Sequence, residues 1–185
     1  MNLLNGLAFL FLIIVIYCLL HRRNIGMKMI KSKVDKLEYR VRDSIGADKR
    51  ADRLAHLNKK INKLLKILRT SHLQRPGVKR LLENYDGVLQ EIEIGETEVA
   101  YNENKGEKIA ICLDMKDDEN TTLFVVIHEL AHGMTKNYSH NKQFWDNMSF
   151  LIKVSIDNDI YIYQDYEETP KEFCNIDISS SPYSQ

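Results

Sequence analysis

The chain opens with Leu3 to Leu20, 18 residues without a charge. As a helix this run would extend roughly 27 Å, enough for a thin bilayer. A cleaved leader would need a basic residue before the apolar run and a small-x-small site after it, and neither is present. The run therefore predicts an uncleaved transmembrane anchor over residues 1–20. His21-Arg22-Arg23 follows at once, then Lys28, Lys31, Lys33 and Lys36. By the positive-inside rule the remainder is expected in the cytosol or a topologically equivalent compartment.

Beyond the anchor the apolar positions change period. Met27, Ile30, Val34, Leu37 and Val41 alternate three and four apart, and the pattern resumes at Leu54, Leu57, Ile61, Leu64 and Leu68. Two amphipathic helices fit, broken near Gly46. Pro76-Gly77 closes this region and marks a boundary, so residues 21–76 read as a helical stalk and 77–185 as a folded domain. Within the latter, Val78 to Asn84 reads as a short helix, and Val88 to Ile94 and Glu98 to Tyr101 as extended. Lys108 to Met115 is the clearest strand, with a turn at Asn102 to Gly106 before it. Asn120 or Thr121 can cap a helix starting at Leu123, although Phe124 to Ile127 would suit a strand as well. A further helix from about Asn141 to Ile156 has Phe144, Met148, Leu151 and Ile152 on one face. Trp145 is read as core.

Composition adds two facts. With 44% hydrophobic and 28% charged residues and 3 prolines, the chain is globular, neither disordered nor collagenous. Its zero net charge hides an asymmetry: residues 21–80 have 19 Lys and Arg against 5 Asp and Glu, or +14, and residues 81–185 have 7 against 21, or −14. The basic stretch suggests contact with anionic lipid or a solvated stalk face. Nucleic acid ranks behind these, since no aromatic interleaving or binding motif accompanies the charge. Cys18, Cys112 and Cys174 form no C-x-x-C pair and define no disulfide framework. Cys112 is read as a core residue and Cys18 as a membrane one, and Cys174 is unassigned.

The chemistry lies in His128-Glu129-Leu130-Ala131-His132. Two imidazoles four residues apart on a helix face the same side and can bind one zinc ion. Glu129 beside them can take a proton from an activated water and pass it to a leaving amine. A third protein ligand is needed. His140 is the remaining histidine of the acidic half, and Asp146 is the alternative.

The His-Glu-Leu-Ala-His block followed by His140-Asn141-Lys142-Gln143-Phe144-Trp145 resembles the WLM-type metallopeptidases. These are relatives of the SprT-like proteases that cut proteins crosslinked to DNA, and the likeness is strongest to versions encoded by large DNA viruses. Lys105 to Ile109 and Glu172-Phe173-Cys174 add to it. The resemblance covers roughly Gly77 to Tyr183 and implies zinc on His128, His132 and His140, with Glu129 as the base. The gap from His132 to His140 is a little longer than in the cellular relatives, and crosslink repair is not carried over.

The expected architecture is α+β: an N-terminal transmembrane helix and basic helical stalk, then a small zincin-like domain with an antiparallel or mixed sheet and the His-Glu-x-x-His helix. The expected function is a membrane-anchored zinc endopeptidase acting on a protein or peptide substrate. The alternative is a membrane or virion scaffold with a residual zinc site.

Overall fold

The computed structural model describes residues 6, 9–16, 26–85, 87, 89–93 and 97–184. Residues 9–16 are helical (α1), with Phe9, Leu10 and Phe11 exposed. Among the described residues no helix is long and apolar enough to cross a membrane. The described part of α1 extends about 12 Å against a hydrocarbon core of about 30 Å. The transmembrane anchor expected over Leu3 to Leu20, and the single-pass membrane localisation drawn from it, are corrected accordingly. The other positions of that run, Cys18 among them, and His21-Arg22-Arg23 lie outside the described residues.

The first amphipathic helix of the expected stalk is also corrected. Residues Met27–Lys31 (β1) and Glu38–Arg42 (β2) pair antiparallel, Met27 opposite Arg42 and Lys31 opposite Glu38. Between them the chain turns on Lys36, which has φ 67°. The Asp35 carboxylate accepts from the Leu37 amide at 3.0 Å and from the Tyr39 hydroxyl at 2.6 Å. Period two decides β2: Tyr39 and Val41 are buried, while Glu38 is exposed and Arg40 and Arg42 are only partly covered.

Helix α2 (Ala47–Ser71) carries the expected stripe of Leu54, Leu57, Ile61, Leu64 and Leu68, all fully or almost fully buried. Ala47, Ala51 and Ala55 widen the stripe, so the helix lies inside the fold and is no stalk. Its cations bind the same body: Lys63 donates to the Asn158 carbonyl and Lys60 pairs with Glu119. One hydrophobic cluster runs from Tyr39 and Val41 through α2 to Phe144, Tyr166 and Phe173. Core residues therefore come from both sides of Pro76-Gly77.

Helix α3 (Val78–Asn84) follows. A mixed three-stranded sheet comes next, in the order β3 (Leu89–Glu91), β5 (Lys108–Ile111), β4 (Ala100–Glu103). β3 runs parallel to β5 and β4 antiparallel to it. Helices α4 (Glu119–Met134) and α5 (Lys142–Asp157) pack on each other, and α4 also touches β4, β5 and α3. The chain ends in a hairpin of β6 (Lys171–Phe173) and β7 (Ile176–Ile178), turned on Cys174 and Asn175 at φ 47° and 66°. A disulfide joins Cys174 to Cys112 just beyond β5, unlike the unpaired Cys112 expected from the spacing.

Candidate metal centre

Helix α4 begins one turn earlier than Leu123. Asp118 is its N-cap, and its carboxylate accepts from the Thr121 amide at 2.8 Å and the Thr121 hydroxyl at 2.6 Å. Phe124, Val125, Val126 and Ile127, ambiguous by propensity, are buried in helix because the sheet and α5 cover them. The helix then brings His128 and His132 to one face, with ring centroids 5.0 Å apart.

The return of the chain is fastened by polar contacts at the end of α4. Thr135 donates its hydroxyl to the Ala131 carbonyl at 2.7 Å and accepts from Asn147 of α5 at 3.1 Å. Arg80 donates to the Met134 carbonyl, and Lys105 to those of Thr135 and Lys136, so two cations stand on the negative end of the helix. Lys105 also sits 4.1 Å from the centre of the Tyr138 ring. Gly133 is needed for close approach, not for a left-handed turn: a Cβ there would lie 2.8 Å from Leu81 Cδ1 and 3.2 Å from the Lys105 carbonyl oxygen. α5 starts at Lys142 with Asn141 as N-cap, so His140 stands just before the helix.

From that position His140 reaches the other two rings. Its Nε2 is 3.1 Å from His128 Nε2 and 3.1 Å from His132 Nε2. The three residues are close enough to hold a metal ion, their nitrogens all within 4.8 Å of one another. Three nitrogens about 2.1 Å from a tetrahedral zinc would stand roughly 3.4 Å apart, so the observed spacing fits such an ion. Asp146 pairs with Lys142 at 2.8 Å and takes no part in the cluster. Phe144 supports the rings from below, its centroid 4.8, 4.4 and 4.6 Å from those of His128, His132 and His140. Trp145, expected in the core, is 42% exposed and stands 5.5 Å from His140. Trp145 was read as core and not as part of the site, although its place five residues beyond His140, in the same block, was a usable signal.

Burial holds His128 down to about 3, with His132 and His140 adding repulsion. Burial likewise lowers His132 to about 4, with His140 and Lys105 contributing. Both rings are thus neutral near pH 7, the state that binds metal. Glu129 is buried beside them, and burial followed by the charge of Glu98 raises its carboxyl to about 8. Its backbone carbonyl accepts from Asn102 Nδ2 at 2.6 Å, which fastens β4 to the helix. A cleft of about 310 Å³ opens over the three rings, with Ala100, Tyr101 and Asn102 of β4 on one side and Asn137 and Tyr138 on the other.

No family model matches the chain, and no solved structure matches it. An uncharacterized protein of Acanthamoeba polyphaga mimivirus is 29% identical over 159 residues, which span 80% of this chain and 81% of that protein.

Proposed function

We propose that this chain is a zinc-dependent endopeptidase of the WLM type. The observation that carries the reading is the convergence of His128, His132 and His140, with His140 Nε2 3.1 Å from the Nε2 of each of the other two, in a cleft that Glu129 also lines. A zinc ion held by the three imidazoles would supply Lewis acidity to a carbonyl and make water a nucleophile near neutral pH. Glu129, which lines the same cleft, would accept a proton from such a water and pass it to the departing amine. Asn102 keeps β4 against α4 while this happens. β4 is the outer strand of its sheet among the described residues, and it lines the cleft, so an extended peptide can lie along it.

The purified full chain should hold about one zinc per molecule and hydrolyse an unfolded protein such as casein. Glu129→Gln should keep the metal and lose roughly 10²-fold or more in turnover, because an amide cannot accept the proton. Normal hydrolysis by that variant would sink the mechanism. Metal binding without hydrolysis by the wild type would favour a scaffold with a residual zinc site.

A further inference from the structure

Glu129 borders a second cavity as well as the cleft. This one measures about 220 Å³ and lies between Val99, Phe124 and Val125 on one side and Ile176 and Ile178 of the terminal hairpin on the other. Apart from His128 and Glu129 at its inner end, every lining residue is apolar. It shares Ala100, His128 and Glu129 with the cleft over the histidines, so the two spaces meet at the reacting position. Its outer wall is firmly set. Phe173 is fully buried, the Cys174 amide donates to Asp117 at 3.2 Å, and the Cys112–Cys174 disulfide ties the hairpin turn to the sheet.

We propose that this cavity is a specificity subsite that takes an apolar side chain of the peptide substrate, from a residue next to the cleaved bond. The inference rests on the peptidase reading above and adds the class of substrate. Apolar cavities of about 150 Å³ already admit benzene, so this volume accommodates a leucine, methionine or phenylalanine side chain. Entry of such a group removes apolar surface from water on both partners. Aspartate or glutamate would have to bring its charge out of water into a space lined by apolar side chains with no lysine or arginine among them, and would be rejected. Leucine in place of alanine at this position should improve the substrate about 10- to 100-fold.

Two measurements test the proposal. The zinc-loaded full chain is given a library of blocked decapeptides, and the cleaved bonds are read by mass spectrometry. One position flanking the cut should be enriched at least about tenfold in Leu, Met or Phe over Ala and depleted of Asp and Glu. Ile176→Lys, at a half-exposed position that tolerates a polar side chain, should reverse the preference toward acidic residues. Hydrolysis with no side-chain preference at either flanking position would overturn the subsite and leave the peptidase reading standing. Independently of turnover, N-acetyl-leucinamide and N-acetyl-aspartamide are titrated into the metal-free chain with labelled isoleucine methyls. The leucine compound should shift the Ile176 and Ile178 signals, and the aspartate compound should not. Shifts without any hydrolysis would support the cavity's selectivity while removing the peptidase reading. Unmoved methyls with the leucine compound would overturn the proposal whether or not the chain cleaves peptides.

Discussion

The Cys112–Cys174 disulfide offers the most direct quantitative test of the fold. The two cysteines are 62 residues apart in sequence, and the closed loop contains β6, α5 and the whole of α4. Cross-linking a loop of that length removes unfolded-state entropy, and the loop-closure relation puts the stabilisation at about 4 kcal/mol at 25 °C. For a chain of this size 1 kcal/mol moves the melting temperature by about 2–4 °C. Reduction, or the Cys112→Ala, Cys174→Ala pair, should therefore lower Tm by roughly 10 °C. Circular dichroism melts of the full chain with and without a phosphine reductant measure the shift. A thiol titration of the unfolded, unreduced protein checks its cause. Of the 3 cysteines, only Cys18 should react. Three reactive thiols together with identical melts in both conditions would refute the cross-link. One reactive thiol with identical melts would refute the entropic account of what it does.

The remaining predictions concern the site. His140→Ala should weaken zinc binding and abolish hydrolysis together, whereas Asp146→Asn should leave both unchanged, because Asp146 faces Lys142 and not the rings; competition with a chromophoric chelator measures the affinities. At pH 7, zinc uptake by the wild type should release about one proton more than uptake by Glu129→Gln. A carboxyl raised to about 8 is mostly protonated there and loses its proton beside a cation, while the neutral His128 and His132 have none to give. Calorimetry in two buffers of different ionisation heat counts the protons, and equal release would refute the assignment. Gly133→Ala should destabilise the metal-free fold by about 1–3 kcal/mol by pushing on Leu81 and the Lys105 carbonyl, read as a lower urea midpoint; an unchanged midpoint would show that α3 yields freely.

What could be read from the sequence was what local spacing encodes. The four-residue separation of His128 and His132 needs only a helix to become a shared face, and His140 followed because a third ligand was required. Residues 27–41 misled because Met27, Ile30, Val34, Leu37 and Val41 follow a helical period, while the strand alternation is confined to Tyr39 and Val41. The choice between them is made by contacts remote in sequence: Asn58 on the Tyr39 hydroxyl, and the Asp52 carboxylate on Ser32 and Lys33. Trp145 was misplaced because Phe144 occupies the one inward position beneath three rings, which no count of hydrophobicity reveals. The disulfide was invisible because its cysteines meet only after β5 and the terminal hairpin have been brought side by side.

The charge asymmetry shows how a correct count led to a wrong arrangement. A basic segment and an acidic one of equal and opposite charge suggested two modules with different surroundings, yet each finds its partner in the other. Glu91 on β3 is fully buried, with Arg42 at 2.6 Å and Arg50 at 2.9 Å on its two carboxylate oxygens. Arg40 meets Glu93, and Arg53 of α2 donates to the Asp114 and Asp117 carbonyls and to Thr122 at the start of α4. Removing either side of the Glu91 cluster would leave buried charge without compensation, which costs more than the intact cluster contributes. The same joining occurs at the far end of α4. A Cβ on Gly77, in the segment expected to separate two domains, would collide with the Met134 carbonyl oxygen in the last turn of that helix, and Arg80 donates to the same oxygen. Both ends of the helix that carries His128, Glu129 and His132 are therefore held by residues from the basic half, which makes that half a structural support of the site and not a detachable arm.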